Sequence, residues 1–160
     1  MKFVHVDDEM NVSQLTNSIN NNKDIFMLIY MEGCGPCNQV RPEWKKLENV
    51  LHKHTKNHTY KDVVIVDINK DILEKVKTNI KSPLGFPTIT FVSKKGSIQE
   101  NFEESSCPNK NRDIDAFVSW IEHKNKKRGG TRRKRKYKRI NKSKKNKNVT
   151  YHKSNRHKMK

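Results

Sequence analysis

Acidic residues are absent from the last 36 positions of this 160-residue chain. Of its 35 Lys and Arg, 18 lie in residues 125–160, beside no Asp or Glu. Residues 1–124 hold the remaining 17, matched there by all 17 acids. The formal charge of +18 therefore belongs wholly to the C-terminal segment. The asymmetry predicts a neutral folded domain over 1–124 and a Lys/Arg-rich tail over 125–160. With few apolar residues and strong self-repulsion, the tail is expected to be disordered.

Cysteine is scarce too. Cys34, Cys37 and Cys107 are too few, and odd in number, for a secreted disulfide scaffold. No apolar run approaches the roughly 20 residues that span a bilayer. Residues 1–9 turn acidic where a secretory leader needs an apolar stretch. The C-terminus carries no Lys-Asp-Glu-Leu signal. The expectation is a chain with no membrane span, not secreted, kept in a reducing, cytoplasmic compartment. On that reading the glycosylation-type triplets at Asn57 and Asn148 are chance matches.

What is present centres on Cys34-Gly35-Pro36-Cys37. Upstream, Ile25–Tyr30 is apolar throughout, the pattern of a strand covered on both faces. Downstream, Val40, Trp44, Leu47, Val50 and Leu51 recur at spacings of three and four, one face of a helix. The pair thus falls where a strand hands over to a helix, with Cys34 at the helix N-terminus. Unsatisfied backbone N–H groups and the helix dipole favour a thiolate there, making Cys34 the nucleophile. The other chemistry open to such a pair is structural zinc, which wants four ligands. Cys107 with His52 or His54 would have to complete the set, and no second pair stands at finger spacing.

The rest of the chain alternates. Phe3, Val4 and Val6 predict a first strand, and Ser13 a cap for a helix holding Val12, Leu15 and Ile19. Val63–Ile68 predicts another buried strand. Asp71 is expected to cap a helix carrying Ile72, Leu73, Val76 and Ile80. Thr88–Val92 and Ser97–Phe102 read as a hairpin through Lys94-Lys95-Gly96. Residues 113–123 read as a last helix on Ile114, Phe117, Val118 and Ile121. The order β-α-β-α-β-α-β-β-α predicts an α/β fold: a mixed sheet with helices on both faces.

These residues resemble the thioredoxin family from about residue 3 to about residue 124. Cys34-Gly35-Pro36-Cys37 has the family's motif. Pro42 stands where its helix-kinking proline does, and Phe86-Pro87-Thr88 where its cis-proline loop does. The resemblance implies the thioredoxin fold and a thiol–disulfide oxidoreductase without metal or cofactor. Cys34 would attack a protein disulfide, and Cys37 would resolve the mixed disulfide, leaving a Cys34–Cys37 bond. Gly35, Pro36, Phe86, Pro87 and Thr88 would form the active-site loops, with Pro87 cis so that neighbouring backbone can bond an extended substrate. The implied partners are protein disulfides and a reductase or thiol reductant that recycles the enzyme, which is expected to be a monomer.

The sequence departs from the family at three positions. Gly33 replaces the usual Trp before the first Cys, Leu28 a buried Asp, and Ile65 its companion Lys. Without that carboxylate, Cys37 is expected to depend on solvent or Glu32 for proton removal. Cys107, in a polar loop, reads as inert, with glutathionylation or an intermolecular disulfide as the alternative.

In the tail, Arg132, Arg133, Lys134, Arg135, Lys136, Lys138 and Arg139 are candidate nucleic-acid contacts. Binding through them would be non-specific and salt-dependent. The cluster also fits a nuclear-entry pattern. A Gly-Gly followed by an Arg/Lys run resembles tails on proteins of giant nucleocytoplasmic DNA viruses, which would imply packaging in a virion. The competing class is a non-catalytic nucleic-acid-associated or virion structural protein built on the same scaffold.

Overall fold

A computed structural model describes residues 1–54, 60–76 and 79–126, with the side chain of His54 not described. The tail positions singled out above, and both glycosylation-type triplets, lie outside the described residues.

Strand β1 (Lys2–Val6) leads to helix α1 (Glu9–Asn20), strand β2 (Asp24–Tyr30) and helix α2 (Gly35–His54). Then come β3 (Val63–Asn69), the single turn α3 (Lys70–Leu73), β4 (Thr88–Ser93) and β5 (Ile98–Asn101). A final helix, α4, covers 114–126. The sheet order is β1-β3-β2-β4-β5. β1, β3 and β2 run parallel, while β4 and β5 join antiparallel, so the sheet is mixed as expected.

All seven residues of β2 are buried, because both faces of the sheet are covered. Alternate side chains enter different cores. Ile25, Met27 and Ile29 pack with Leu15 and Ile19 of α1. Phe26 and Leu28 pack with Trp44 of α2 and with Phe117 and Trp120 of α4. Trp120 meets Phe26 and Phe102 edge-on, with ring centres 5.0 and 5.1 Å apart. Trp44 donates its indole N–H to Val66 O at 3.2 Å, pinning α2 to β3. Met1–Glu122 forms a compact unit by itself.

Two caps differ from expectation. Asp8, not Ser13, caps α1, accepting from Asn11 N at 2.9 Å. Ser13 lies inside the helix and donates to Met10 O. Asn69, not Asp71, caps α3. That helix ends at Leu73, although Val76 and Ile80 still pack into the core it was expected to build. Helical spacing there reports burial beyond the α-helix, where the chain continues in turns such as Val76 N donating to Leu73 O at 3.0 Å.

Tyr60 is buried, and its hydroxyl donates to Glu122 Oε1 at 3.4 Å. Burial first, then the Glu122 charge, push the phenol up to about 12. An unfolded tyrosine ionises near 10. Between about pH 10 and 12 the unfolded chain releases this proton while the folded chain retains it, so stability falls as pH rises through that window. Urea midpoints followed from pH 9 to 12 should show a loss that Tyr60→Phe reduces. An identical slope in the variant would remove Tyr60 as its source.

Candidate active site

The disulfide sits at the junction of β2 and α2. β2 delivers Tyr30 to the carboxyl edge of the sheet, and Met31–Gly33 turn the chain toward the helix. Gly33 adopts φ +73°, and a Cβ built there would meet nothing within 4 Å. The position is thus restricted by backbone conformation and not by space, which gives the missing tryptophan a local reason. α2 then begins at Gly35, with Asn38 N donating to Cys34 O at 3.1 Å.

Cys34 and Cys37 are joined as a disulfide, with Cα atoms 5.2 Å apart. Their environments differ. Cys34 retains 8% exposure and Cys37 none, so Cys34 is the sulfur more open to solvent. Cys37 N donates to Cys34 Sγ at 3.2 Å. A backbone donor in the first helical turn already points at the sulfur that would carry negative charge in the reduced state. Helix α2 runs on through Pro42.

Across from the pair lies the loop before β4. The Phe86–Pro87 peptide bond is cis, as expected. Phe86 O stands 3.8 Å from Cys34 Sγ, and Phe86 packs against the cluster of Tyr30, Cys34 and Cys37. Thr88 Oγ1 donates to Gly85 O at 2.6 Å, fastening the loop. Fold and sequence thus bring Cys34, Cys37, Phe86 and Pro87 together, with Thr88 as the fastener, while Gly35 and Pro36 form the exposed first turn.

Leu28 is fully buried in the core between the sheet and α2. The exposed Glu32, offered above as an alternative proton acceptor, has its carboxylate 3.4 Å from Arg41 Nη1. Arg41 also lies over the Tyr30 ring, 3.9 Å from its centre. Burial raises the Tyr30 phenol; Arg41 opposes this, and Asp67 adds to it. Asp67 is itself buried and paired with His5 Nδ1. His5, Tyr30, Glu32, Arg41 and Asp67 line a cleft of about 530 Å3 beside the site. The sequence signal for this cleft is weak, because its members come from four separate elements. The one cue is Asp67, a carboxylate at the end of an apolar strand.

Cys107 is 2% exposed, with Sγ 3.7 Å from Ser119 Oγ. Its polar neighbours in sequence suggest a surface thiol, but the fold buries it, which favours the inert reading. Among the described residues, no group of three or more His, Cys, Asp or Glu is placed to hold a metal ion.

A redox-type Cys-x-x-Cys at a strand–helix junction, opposite a cis-proline on a five-stranded mixed sheet, defines the class. Residues 6–120 match the family model described as Thioredoxin, and the chain belongs to that family. It is 28% identical over 111 residues to protein disulfide isomerase-like 2-2 of Oryza sativa subsp. japonica. That match covers 66% of this chain and 25% of the relative, so the chain spans about a quarter of the relative's length. Human ERp44 in its zinc-bound form superposes with TM-score 0.55 at 16% identity, over 76% of this chain and 30% of that one. The J-Trx1 fragment of ERdj5 gives 0.50 at 14%, over 78% and 52%. At such identities the structural likeness establishes the fold alone.

Gly33→Ala should destabilise the domain by about 1 kcal/mol, because φ is positive there. Gly35→Ala, with equal space and no positive φ, should be neutral or stabilising. Urea unfolding of the two variants checks this. Equal losses would show that the Gly33 conformation is not the constraint.

Proposed function

We propose that this chain is a thiol–disulfide oxidoreductase of the thioredoxin type that reduces protein disulfides. The observation that carries the reading is the Cys34–Cys37 disulfide, with its more exposed sulfur facing Phe86 O and the cis Phe86–Pro87 bond. In the reduced protein, the Cys34 thiolate attacks one sulfur of a target disulfide. A Cys34–target bond forms, and the target's other sulfur leaves as a thiolate that takes a proton. Cys37 then loses its proton and attacks Cys34 Sγ. The Cys34–Cys37 bond re-forms, and the second target sulfur departs. The target gains two electrons and the protein loses two; a thiol reductant or reductase restores them.

The helix N-terminus assists the first step. The second is the harder one, because Cys37 is fully buried and Leu28 brings no carboxylate to it. We therefore read resolution as the slower step, with its proton passing to solvent through the exposed side of the pair.

The tail supports a division of labour: catalysis in 1–124, location in 125–160. Eighteen cations without an acid suit nucleic-acid phosphates or retention beside a packaged genome. A cytoplasmic site of action, with packaging in a virion, fits both halves of that reading.

Insulin-disulfide reduction separates catalysis from a merely structural use of the scaffold. Wild type should turn over and Cys34→Ser should not. Cys37→Ser should accumulate the mixed disulfide on non-reducing gels. A wild-type protein without turnover would sink the enzyme reading. Deleting 125–160 should leave turnover nearly intact while removing DNA binding at low salt. Loss of both would contradict the division of the chain.

A further inference from the structure

Given thiol–disulfide exchange at Cys34, we propose that the cleft beside the disulfide is a subsite for an ammonium group, carried by a lysine side chain of the target protein.

Two nearly buried side chains build the subsite. Tyr30 is 5% exposed and Asp67 7%, and both line the cleft. Asp67 Oδ1 is paired with His5 Nδ1, while Oδ2 has no hydrogen-bond partner among the described residues. Nor has the Tyr30 hydroxyl, whose ring meets Arg41. Neither oxygen is closed off from solvent, so both open on the cleft that their residues line. After burial and Arg41, the charges that bear on the phenol are those of Asp67, Glu32 and Asp7. Unfilled acceptors on nearly buried residues call for a donor.

The charge of the cleft gives that donor its sign. Four carboxylates line it, Asp7, Glu32, Glu48 and Asp67, against the two cations Arg41 and Lys45. With His5 neutral, the lining carries two net negative charges. Arg41 is already engaged, 3.9 Å from the centre of the Tyr30 ring and 3.4 Å from Glu32 Oε1. A cation is therefore favoured over an anion. Geometry then separates ammonium from guanidinium. A guanidinium forks onto both oxygens of a carboxylate, and at Asp67 His5 already holds one of them. An ammonium is a point charge, and its three donors can be shared between Asp67 Oδ2 and the Tyr30 hydroxyl.

Position supplies the source of the ammonium. Tyr30 belongs to the buried cluster of Cys34 and Cys37 and also to the wall of the cleft. Glu32, on the same wall, precedes Cys34 by two residues. A target whose sulfur is bonded to Cys34 holds its flanking side chains within reach of the cleft, and lysine has a long, flexible stem. The tether raises the effective concentration of its ammonium above that of any free amine.

The test uses the whole 160-residue chain and a set of peptide disulfides. The peptides are alike except at one position, which carries Lys, Arg or norleucine and is moved through the residues flanking the half-cystine. In one register Lys should lower KM about fivefold against norleucine at unchanged kcat, and Arg should gain clearly less. In every variant the norleucine peptide is the reference. Asp67→Asn should abolish the Lys advantage and Tyr30→Phe should reduce it; both keep the shape of the side chain they replace. Asp62→Asn, just before β3 and outside the cleft, should retain it. Two measurements on wild type need no variant. n-Butylammonium chloride should compete with the Lys peptide and not with the norleucine peptide. Without any substrate it should shift the amide resonances of Tyr30, Glu32 and Asp67, where sodium chloride at equal ionic strength does not. Absence of a Lys advantage, its survival in Asp67→Asn, or an equal gain from Arg would overturn the assignment. A wild type that reduces none of the peptides, yet shows the amide shifts, would overturn the exchange reading and leave the cleft as an amine site.

Discussion

Burial of β2 on both faces is the constraint from which the rest of the domain follows. A strand with seven buried residues needs a partner on each edge and cover on each side. β3 and β4 pair with its edges, while α1 covers one face and α2 with α4 the other. Because β2 is central, its carboxyl end opens at the middle of the sheet edge, where the chain has to turn away. The left-handed Gly33 and the start of α2 make that turn. Cys34 therefore meets solvent and backbone donors together, and Cys37, one helical turn on, faces inward. The inequality of the two sulfurs comes from position along the chain: Cys34 stands just before the first helical residue and keeps some exposure, while Cys37 lies inside the first turn and is fully buried.

The second side of the site comes from β4. Its antiparallel pairing with β2 sets Thr88 opposite Ile29. The residues just before Thr88 then lie beside the residues just after Tyr30. This is how Phe86 O comes within 3.8 Å of Cys34 Sγ across 52 positions of sequence. The loop is held by Gln99 and Thr88, both from the hairpin, so one support fixes the loop and the placement of Phe86 O beside Cys34 Sγ.

Features written in local pattern could be read from the sequence. Ile25–Tyr30 and Val63–Ile68 declared buried strands, and the spacing from Val40 to Leu51 declared a helix. The thioredoxin resemblance, through Phe86-Pro87-Thr88, anticipated the cis bond. Features that depend on register were hidden. Asp8 and Ser13 are both competent caps, and only Asp8 precedes a free first turn. Val76 and Ile80 kept a helical spacing although the helix ended at Leu73. What fixes the loop before Pro87 has no local signal, because Gln99 accepts from Lys81 N and donates to Asn79 O, 18 and 20 positions back. Cys107 seemed exposed by its neighbours, yet Lys110 gathers that loop onto Phe102 O and Ser105 Oγ at 2.8 and 2.6 Å and the thiol is covered.

The replacement of the family's buried Asp by Leu28 has a counterpart in the same row of the sheet. β1, β3 and β2 place His5, Asp67 and Leu28 side by side in register. The carboxylate nearest position 28 in the sheet thus stands one strand over, about 4.8 Å across in the hydrogen-bonding direction. It is held by His5 on the side away from β2. That pairing answers the cost of burying a charge but turns the acid toward the cleft with Arg41 and Tyr30. Position 28 instead adds a leucine to the core under α2, where burial of its side chain contributes about 2 kcal/mol. Position 28 thus serves the packing under α2, which contains Cys37 and follows Cys34, and brings no carboxylate to the inner sulfur. On the proposed exchange chemistry the burden then falls on Cys34 and the helix terminus beside it.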